Sequence, residues 1–373
     1  MKILYVTTVG STMGFFKTFI RTLLDEGHTV DIATNDAAAP VQDYYREWGC
    51  NIHQISCTRS PVNKGSMRAI KEIKKLVTEN EYDIVHCHTP VAAMCTRLAC
   101  RKLRKKKGVR VIYTAHGFHF YKGAPKKNWL MYYPIEKICS RWTDTLITIN
   151  KEDYAFAQKK MKAKEVVYVP GVGIDVDKFA NTIIDRESKR QELGVSTDAF
   201  LMLSVGELNE NKNHKTVIKA MAQLENKNVY YAIAGKGELD SELLALANEL
   251  GLGERFKLLG FRSDVAELYK VADCFVHPSF REGLPVSIME AMASGLPILA
   301  SNIRGCADLV DHNGGSLFNA CSVEECANSL KIVIENNTEK MKKFNQNRST
   351  EFDKAIINAE MKKIYFKSGV TEM

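Results

Sequence analysis

Short apolar runs rich in β-branched residues recur along the chain, and each is followed by a segment with helical spacing. In the first half these runs are ILYVTT, TVDIAT, DIVHCHT, RVIYTAH and TLITIN. After residue 198 the series resumes with FLMLSVG, VYYAIAG, FKLLGF, CFVHPS and PILAS. Runs that stay apolar throughout are typical of strands buried on both faces of a parallel sheet. The pattern predicts an α/β fold with two doubly wound, Rossmann-like domains in series.

The length of 373 residues agrees with two domains and a cleft between them. We predict a first domain over residues 1–170 and a second over residues 198–349. Between them, the segment VPGVGIDVDKF and the charged stretch after it predict a hinge over residues 171–197. A last helical pattern, over about residues 350–373, could pack back on the first domain.

The ten cysteines are scattered and lack the spacing of a zinc or redox motif. Because the sequence also shows no pattern typical of a signal peptide, we expect reduced thiols and a cytoplasmic protein. No segment approaches the roughly 18–20 apolar residues that a membrane-spanning helix needs. The sequence therefore predicts that the chain is not integral to a membrane.

The net charge of +8 is unevenly distributed, since the first half is basic and the second slightly acidic. Much of the excess lies in RKLRKKKGVR, from Arg101 to Arg110. Such a run is either a solvated helix end or a contact with an anionic membrane surface. Nucleic acid is a weaker candidate, because no aromatic residues are interleaved with the charges. The membrane alternative predicts a peripheral location at the inner face of the cell membrane.

Glycines follow the first strand of each half, where open α/β sheets bind their ligands. Gly10 and Gly14 bracket the turn VGSTMGFF, which lacks the GxGxxG fingerprint of nicotinamide binding but could receive a phosphate. In the second half Gly206 opens the loop SVGELNENKNH, and Lys212 stands in it as a point charge that suits a phosphate, or as a solvated loop lysine.

Three histidines lie at strand ends in the first half. His86 and His88 end DIVHCHT, and His116 ends RVIYTAH. Alternate strand positions share a face, so the three could ligate a metal together. No carboxylate or cysteine lies at ligand spacing nearby, which favours hydrogen bonds to a hydroxylated substrate or to the backbone instead. His116 is the best placed of the three.

Two glutamates, Glu282 and Glu290, lie eight positions apart in SFREGLPVSIMEAMASGLPIL. Pro285 suits the first turn of a helix that ends near Ser294, so Glu282 lies in the preceding loop and Glu290 inside the helix. A separation of about 12 Å prevents the two carboxylates from sharing one reacting atom. They would instead accept hydrogen bonds from hydroxyl groups at two points of one elongated ligand.

Between these glutamates, the free amides of Gly283 and Leu284 lie near the N-terminus of the helix and would face a negative group, which a helix N-terminus favours. A ligand with hydroxyl groups at both ends and negative charge in the middle is a nucleotide-diphosphate sugar. The residue pattern thus predicts such a sugar as the ligand of the second domain.

The stretch EGLPVSIMEAMASGLPILAS resembles the E-x7-E signature of the retaining glycosyltransferases of family 4, which have the two-domain GT-B fold. The resemblance continues through DIVHCHTP, AHG, VPGVGID, SVGELNENKNH, AGKGE and LGFRSDV, in family order, and is greatest to enzymes of bacterial capsule and exopolysaccharide assembly. It implies transfer of a hexose or N-acetylhexosamine from a UDP-linked donor to a hydroxyl of a lipid-linked saccharide, with no metal or other cofactor.

The resemblance implies donor contacts for the matching positions of the second half. Glu282 would contact the hydroxyls of the donor sugar, and Glu290 those of the ribose. Lys212 would meet the diphosphate, and the amides of Gly283 and Leu284 would meet the diphosphate or the sugar. The turn near Gly235 and the backbone at Phe261 would border the base, and Gly206 is a further donor-binding position.

The resemblance also implies roles for the first half. The loop of Gly10 and Gly14 would close over the donor phosphates. His116 would lie against the sugar at the reaction centre, so that His116 and Glu282 are the predicted catalytic residues. The first domain would bind the acceptor, with His86 and His88 on the acceptor side.

One position departs from the family pattern, since Glu207 stands where a basic residue commonly follows the loop glycine. A carboxylate there would repel a diphosphate unless it turns away or another base, such as Lys236 or Arg281, compensates. The pair Asp175 and Asp177 resembles a metal-binding DxD motif, but it lies at the predicted domain junction, which argues against a metal.

Two mechanisms and two other functions remain open at this stage. Retention requires either attack by Glu282 as a nucleophile or, as the resemblance implies, front-face attack with Glu282 as a binding residue. A sugar-nucleotide epimerase can share this fold. A non-catalytic membrane scaffold would explain the basic run but not the paired glutamates.

Overall fold

A computed structural model describes residues 1–335 and 339–367 of the chain. They form two compact units, one of Met1–Val172 with Ala355–Met373 and one of Gly173–Lys354. Each unit contains one parallel sheet with helices on both faces, so the prediction of two doubly wound α/β domains is confirmed. No helix within the described ranges combines the length and the apolar character that crossing a bilayer requires.

The sheet of the first unit has seven strands in the order β3-β2-β1-β4-β5-β6-β7, all parallel. The five strands that the sequence predicts are all present. Two edge strands were not predicted, because they are short and only half-buried and therefore lack a continuous apolar run. The strands are β1 (Lys2–Val9), β2 (Thr29–Asn35), β3 (Ile52–Gln54), β4 (Ile84–His88), β5 (Arg110–Ala115), β6 (Thr145–Thr148) and β7 (Glu165–Tyr168).

Seven helices between Lys17 and Lys160 and two 3₁₀ segments, Gly10–Phe16 and Ser140–Trp142, accompany these strands. The helix α4 is almost entirely buried, and its small side chains let the neighbouring helices α3 and α6 pack closely on either side of it. The helices are α1 (Lys17–Asp25), α2 (Tyr44–Glu47), α3 (Lys64–Glu79), α4 (Pro90–Cys100), α5 (Leu103–Lys107), α6 (Lys126–Cys139) and α7 (Lys151–Lys160).

The second unit has six parallel strands in the order β10-β9-β8-β11-β12-β13. Five were predicted, and the sixth, β13, again lies at an edge. The strands are β8 (Phe200–Val205), β9 (Val229–Ala234), β10 (Phe256–Gly260), β11 (Cys274–His277), β12 (Ile298–Ser301) and β13 (Gly315–Phe318). The helices are α8 (Val176–Asn181), α9 (Arg186–Glu192), α10 (His214–Ala222), α11 (Asp240–Glu249), α12 (Val265–Val271), α13 (Val286–Ala293), α14 (Cys306–Leu309), α15 (Val323–Glu335) and α16 (Glu339–Ser349).

The segment 171–197, predicted as a hinge, differs from that expectation over most of its length. It contains α8 and α9, and residues from Gly173 onward belong to the second unit. Arg190 of α9 is fully buried and donates hydrogen bonds to the carbonyl of Ala199 (2.7 Å) and to the carboxylate of Asp273 (2.6 Å). The chain therefore changes unit at Val172 and Gly173, and again at Lys354 and Ala355.

The last described helix, α17 (Lys354–Tyr365), packs on the first unit, far from it in sequence. Ile357, Ile364 and Tyr365 join the core formed beneath β1. The Tyr365 hydroxyl lies 2.6 Å from Nδ1 of His86 and donates to the hydroxyl of Tyr5 at 3.0 Å. Residues 368–373 of the predicted terminal helix lie outside the described residues.

We expect Tyr365→Phe to lower the free energy of unfolding by about 1–3 kcal/mol, because it leaves buried polar atoms of His86 and Tyr5 without that partner. Chemical denaturation of the full chain measures the change. Tyr230→Phe is the matched control, since the Tyr230 hydroxyl has no hydrogen bond within the described residues and its loss should change stability by less than about 0.5 kcal/mol. Equal effects of the two changes would contradict the role of Tyr365.

Candidate functional site

The carboxylate of Glu282 lies among buried polar side chains just after β11. Its Oε1 accepts a hydrogen bond from Lys212 Nζ at 2.7 Å and lies 3.1 Å from Nε2 of His277. His277, the last residue of β11, is almost fully buried, and the hydroxyl of Ser279 lies 3.2 Å from the same nitrogen. The structure thus brings together the two predicted residues Glu282 and Lys212, and adds His277, which the sequence analysis missed.

The electrostatics of this cluster keep Glu282 ionised. Burial raises the pKa of its carboxyl, but the hydrogen bond from His277 and the charge of Lys212 outweigh burial and hold the pKa well below its usual range. Burial lowers the pKa of His277, partly offset by Glu282. The site therefore presents a fixed carboxylate next to an ammonium group.

The loop of Glu282 leads into α13, whose observed bounds agree with the predicted helix to within one residue. Gly283 and Leu284 precede the capping residue Pro285, and Leu284 is buried. On the other side of this loop, Arg304 donates from Nε to the carbonyl of Glu282 at 3.4 Å. Arg304 is a second residue that the sequence analysis missed, because it becomes a neighbour only through the packing of β12 next to β11.

Glu290 occupies a different environment from Glu282. It lies inside α13, and Oε2 accepts a hydrogen bond from the Tyr269 hydroxyl at 3.1 Å. Burial raises its pKa to about 7, although Tyr269 and Lys178 oppose this shift. Because the folded chain holds this proton more tightly than the unfolded chain, Glu290 reduces stability as the pH rises from its ordinary pKa to about 7. In the part of the chain that the structure describes, the two glutamates share no hydrogen-bond partner, as the helical spacing predicts.

The predicted glycine positions of the second unit lie where two loops meet closely. A Cβ atom on Gly235 would lie 1.7 Å from the carbonyl oxygen of Gly206, so no side chain fits there. Phe261, at the end of β10, is exposed. The close approach of these two loops by itself explains why position 235 is a glycine, without a ligand contact.

The unexpected carboxylate of Glu207 is exposed and accepts a hydrogen bond from Asn209 Nδ2 at 2.8 Å. Lys212, five residues further along the loop, directs its ammonium group to Glu282 and not to Glu207. Lys236 and Arg281, the predicted compensating bases, are both exposed. Arg304 is a further basic residue beside the Glu282 loop.

The turn of Gly10 in the first unit is shaped by packing on a neighbouring loop. A Cβ atom on Gly10 would lie 2.5 Å from the amide nitrogen of Val41, and the Gly10 amide donates to the carbonyl of Ala39 at 2.8 Å. This amide is therefore not available to a phosphate, contrary to the expectation for Gly10. Gly14 is exposed, and the segment between them is a 3₁₀ helix.

His86, His88 and His116 form one cluster in the first unit. His86 and His88 lie within β4 and not beyond it, because the strand extends to His88. Nε2 of His86 lies 2.8 Å from the Thr114 hydroxyl, and its Nδ1 is already paired with Tyr365. Both nitrogens of His86 are thus paired and the residue is 1% exposed, although its ring also lines the cavity of His88 and His116. Its place on the acceptor side stays a prediction.

The rings of His88 and His116 line a cavity of about 40 Å³, together with Phe16, which stacks on His88 at a centroid distance of 4.0 Å. This volume accommodates a hydroxyl group or a few water molecules. Burial lowers the pKa of His116 to about 4 and holds the pKa of His88 well below its usual range. Both rings are therefore neutral near pH 7. Within residues 1–335 and 339–367, no group of three acidic, histidine or cysteine residues could hold a metal ion.

A hydrogen bond of 3.1 Å joins Nδ1 of His88 to Nε2 of His116. If His116 donated, neutral His88 would carry its proton on Nε2, which is buried without a hydrogen-bond partner in the described part of the chain. A buried N–H without a partner is less acceptable than an unused lone pair. His88 therefore donates to His116, and His116 keeps its own proton on Nδ1.

We expect His116 to be in the Nδ1–H form in the wild type, and ¹⁵N NMR of histidine-labelled protein measures this directly. His88→Leu should shift His116 toward the Nε2–H form because the donor is lost, whereas His88→Asn should preserve the Nδ1–H form with its side-chain amide. The spectrum of His116→Asn assigns the signals. An Nε2–H form of His116 in the wild type would contradict the direction of this hydrogen bond.

Two family models of known proteins match the chain, one in each half. Residues 2–150 match a family model described as glycosyl transferase 4-like, and residues 185–350 match one described as glycosyl transferases group 1. EpsD of Bacillus subtilis, described as a putative glycosyltransferase, is 37% identical over 78% of this chain and 81% of its own length. An Escherichia coli UDP-Gal:alpha-D-GlcNAc-diphosphoundecaprenol alpha-1,3-galactosyltransferase is 31% identical over 72% of this chain and 70% of its own.

Solved structures show the same fold over nearly the whole chain. HepE of Anabaena, crystallised with UDP-glucose, has a TM-score of 0.81 and 23% identity over 99% of this chain and 100% of its own. WaaG, a glycosyltransferase of lipopolysaccharide biosynthesis, has a TM-score of 0.77 and 20% identity over 98% and 100% of the two chains. These comparisons give no support to the epimerase alternative. The chain is a member of the family-4 type of glycosyltransferases and has their two-domain GT-B fold, as the resemblance of its sequence implies.

Proposed function

We propose that the chain transfers a hexose or N-acetylhexosamine from a UDP-sugar to a hydroxyl of a lipid-linked saccharide during synthesis of a cell-surface polysaccharide. The observation that carries the proposal is the cluster in which Lys212 and His277 hold the carboxylate of Glu282 in the loop before α13. A relative at 31% identity is described as using UDP-Gal and a diphosphoundecaprenol-linked sugar. We assign donor binding to residues 198–349 and acceptor binding to residues 1–170.

In the proposed donor complex, the carboxylate of Glu282 accepts hydrogen bonds from hydroxyls of the sugar and Glu290 accepts those of the ribose. The amides of Gly283 and Leu284, at the N-terminus of α13, stabilise the diphosphate. Gly206, Gly235 and Phe261 border the phosphates and the base. For Gly10 and Gly14 we propose only that their loop closes over the donor phosphates. The Gly10 amide itself does not bind a phosphate, because it donates to the carbonyl of Ala39.

Lys212 is the proposed partner of the departing diphosphate. Its ammonium group is paired with Glu282 at 2.7 Å. A diphosphate close to this pair would share the ammonium, and the negative charge that grows as the sugar leaves strengthens that contact. Glu207 does not oppose this, because it is exposed and bonded to Asn209. Arg304, beside the same loop, is a second candidate cation.

At the reaction centre, His116 presents its Nδ1–H to the sugar, and His88 holds the ring in that form. We propose front-face transfer with retention at the anomeric carbon, in which the leaving phosphate accepts the proton of the acceptor hydroxyl and no metal takes part. Glu282 then binds the sugar and is not the nucleophile, which agrees with its engagement by Lys212 and His277.

We place the chain at the inner face of the cell membrane, where a lipid-linked acceptor lies. The basic segment Arg101–Arg110 is the proposed contact with anionic lipid. Within it Arg104 bonds Asp144, Lys107 donates to a backbone carbonyl, and Arg110 donates to carbonyls of α17. The other basic side chains of the segment are exposed and extend into solvent: Arg101, Lys102, Lys105 and Lys106.

The proposal predicts that Glu282→Gln lowers the rate of sugar transfer by about 10²–10³, because a charged acceptor of hydrogen bonds is lost next to the reacting carbon. Transfer from UDP-glucose and UDP-galactose to a lipid-diphosphate-linked saccharide measures the change. Glu207→Gln is the matched control and should keep most of the activity. A covalent glycosyl adduct on Glu282 in mass spectra would instead establish double displacement, and inversion of the anomeric centre in the product would refute retention.

A second prediction concerns pH. Because the pKa of Glu290 is about 7, its carboxylate form grows as the pH rises from 6 to 8, and UDP-glucose should bind up to about tenfold more tightly over that range. Calorimetric titration of the wild type and Glu290→Gln measures this, and the variant should bind weakly without that dependence. A UDP-glucose analogue without the ribose 2′-hydroxyl should also lose most of the dependence. An unchanged pH profile in Glu290→Gln would remove Glu290 from the ribose site.

A further inference from the structure

The helix α6 has an unusual distribution of polarity. Its single acidic residue, Glu136, points inward, where it pairs with buried Arg97 at 2.9 Å and accepts a hydrogen bond from the Tyr113 hydroxyl at 3.0 Å. A surface helix normally buries its apolar stripe and exposes its charges. The inward position of Glu136 leaves the outer side of α6 without negative charge.

The outward side of α6 is apolar. Leu130 is 80% exposed, Met131 49% and Ile138 48%, and Pro134 between them is also exposed. Their spacing places them on one face of the helix, since residues three, four and seven positions apart share a side. We call these four residues, Leu130, Met131, Pro134 and Ile138, the apolar face of α6. Contiguous apolar exposure with a polar rim is typical of an interaction surface.

Basic residues border this face at both ends. Lys126 and Lys127 form the first turn of α6, and Arg141 follows its end; all three are exposed. The carbonyl of Arg141 accepts a hydrogen bond from Arg104 at 3.2 Å, which brings the basic segment Arg101–Arg110 alongside the end of the helix. The apolar face therefore continues into the exposed lysines of that segment. Among the described residues, Lys126, Lys127 and Arg141 belong to no ion pair, whereas Arg104 of the basic segment is paired with Asp144.

We propose that the apolar face of α6 docks into the surface of an anionic lipid bilayer, with the basic residues at its ends in contact with lipid headgroups. An apolar stripe bordered by lysine and arginine is the composition that binds in the plane of such an interface. Apolar burial and attraction to anionic headgroups act together there. A second copy of this chain would meet the same positive border, and two such borders repel each other.

This inference rests on the proposed function, because a lipid-linked acceptor requires an enzyme that reaches the membrane. It goes further by naming α6 as the inserting element and limiting the segment Arg101–Arg110 to electrostatic contact. Binding to vesicles without donor or acceptor tests docking alone. Transfer to a water-soluble analogue of the acceptor tests the enzyme alone, so failure of one is distinguishable from failure of the other.

The test compares flotation of the full chain with vesicles of mixed phosphatidylglycerol and phosphatidylcholine and with vesicles of phosphatidylcholine alone. We expect binding to the anionic vesicles only. The triple variant Leu130→Gln, Met131→Gln and Ile138→Gln should bind at least about tenfold more weakly, since three apolar side chains no longer leave water. Ile183→Gln is the matched control, because Ile183 is 96% exposed in the second unit, and it should bind as the wild type does.

Further measurements separate the contributions. Lys126→Gln with Lys127→Gln should weaken binding to anionic vesicles and reduce its dependence on salt. The triple variant should keep the unfolding temperature and the transfer rate on the soluble acceptor, because its side chains are exposed. Wild-type binding that is absent, or equal in the triple variant, would overturn the proposal. A dimer in sedimentation that the triple variant dissociates, with vesicle binding unchanged, would identify a second copy as the occupant instead.

Discussion

Strands that are buried on both faces accept a polar group only where it finds a hydrogen-bond partner, and this constraint organises both units. Each sheet is parallel and covered by helices, so most strand residues are apolar, and the buried exceptions Asp31 and His86 are hydrogen-bonded. At the carboxyl ends of the strands the chain must turn, and buried polar groups must find partners. His277 ends β11 and lies against Glu282 of the loop that follows, and His88 ends β4 and lies against His116, which follows β5. The reactive groups of both units therefore lie at these edges.

The two edges solve the problem of buried polar groups differently. In the second unit, opposite charges meet, and Lys212 with His277 keeps Glu282 ionised despite its burial. In the first unit, neutral rings meet, and burial keeps His88 and His116 uncharged. A charged site suits a ligand with diphosphate and hydroxyl groups, whereas a neutral donor suits a sugar hydroxyl. This difference agrees with the proposed division between donor and acceptor.

Much of the architecture follows from patterns that act locally. Runs of β-branched residues predict ten strands, and all ten are observed, but β3, β7 and β13 have too little apolar sequence to be seen. Helix α13 follows from Pro285 and Gly295. The Gly10 amide is not free for a phosphate because it donates to Ala39, and Tyr365 and Thr114 occupy the ring nitrogens of His86. A sequence does not reveal such partners, which lie up to 279 residues away.

The sequence by itself determined the fold class, the family and the candidate glutamates, because periodicity and motif spacing are properties of short segments. Only the tertiary structure decided which groups pair: Lys212 with Glu282, His88 with His116, and Tyr365 with His86. It also decided that Glu136 turns inward to Arg97 and leaves α6 with an apolar outer face. These outcomes depend on the packing of distant strands and helices, which sets the distances and the burial that control charge and hydrogen bonding.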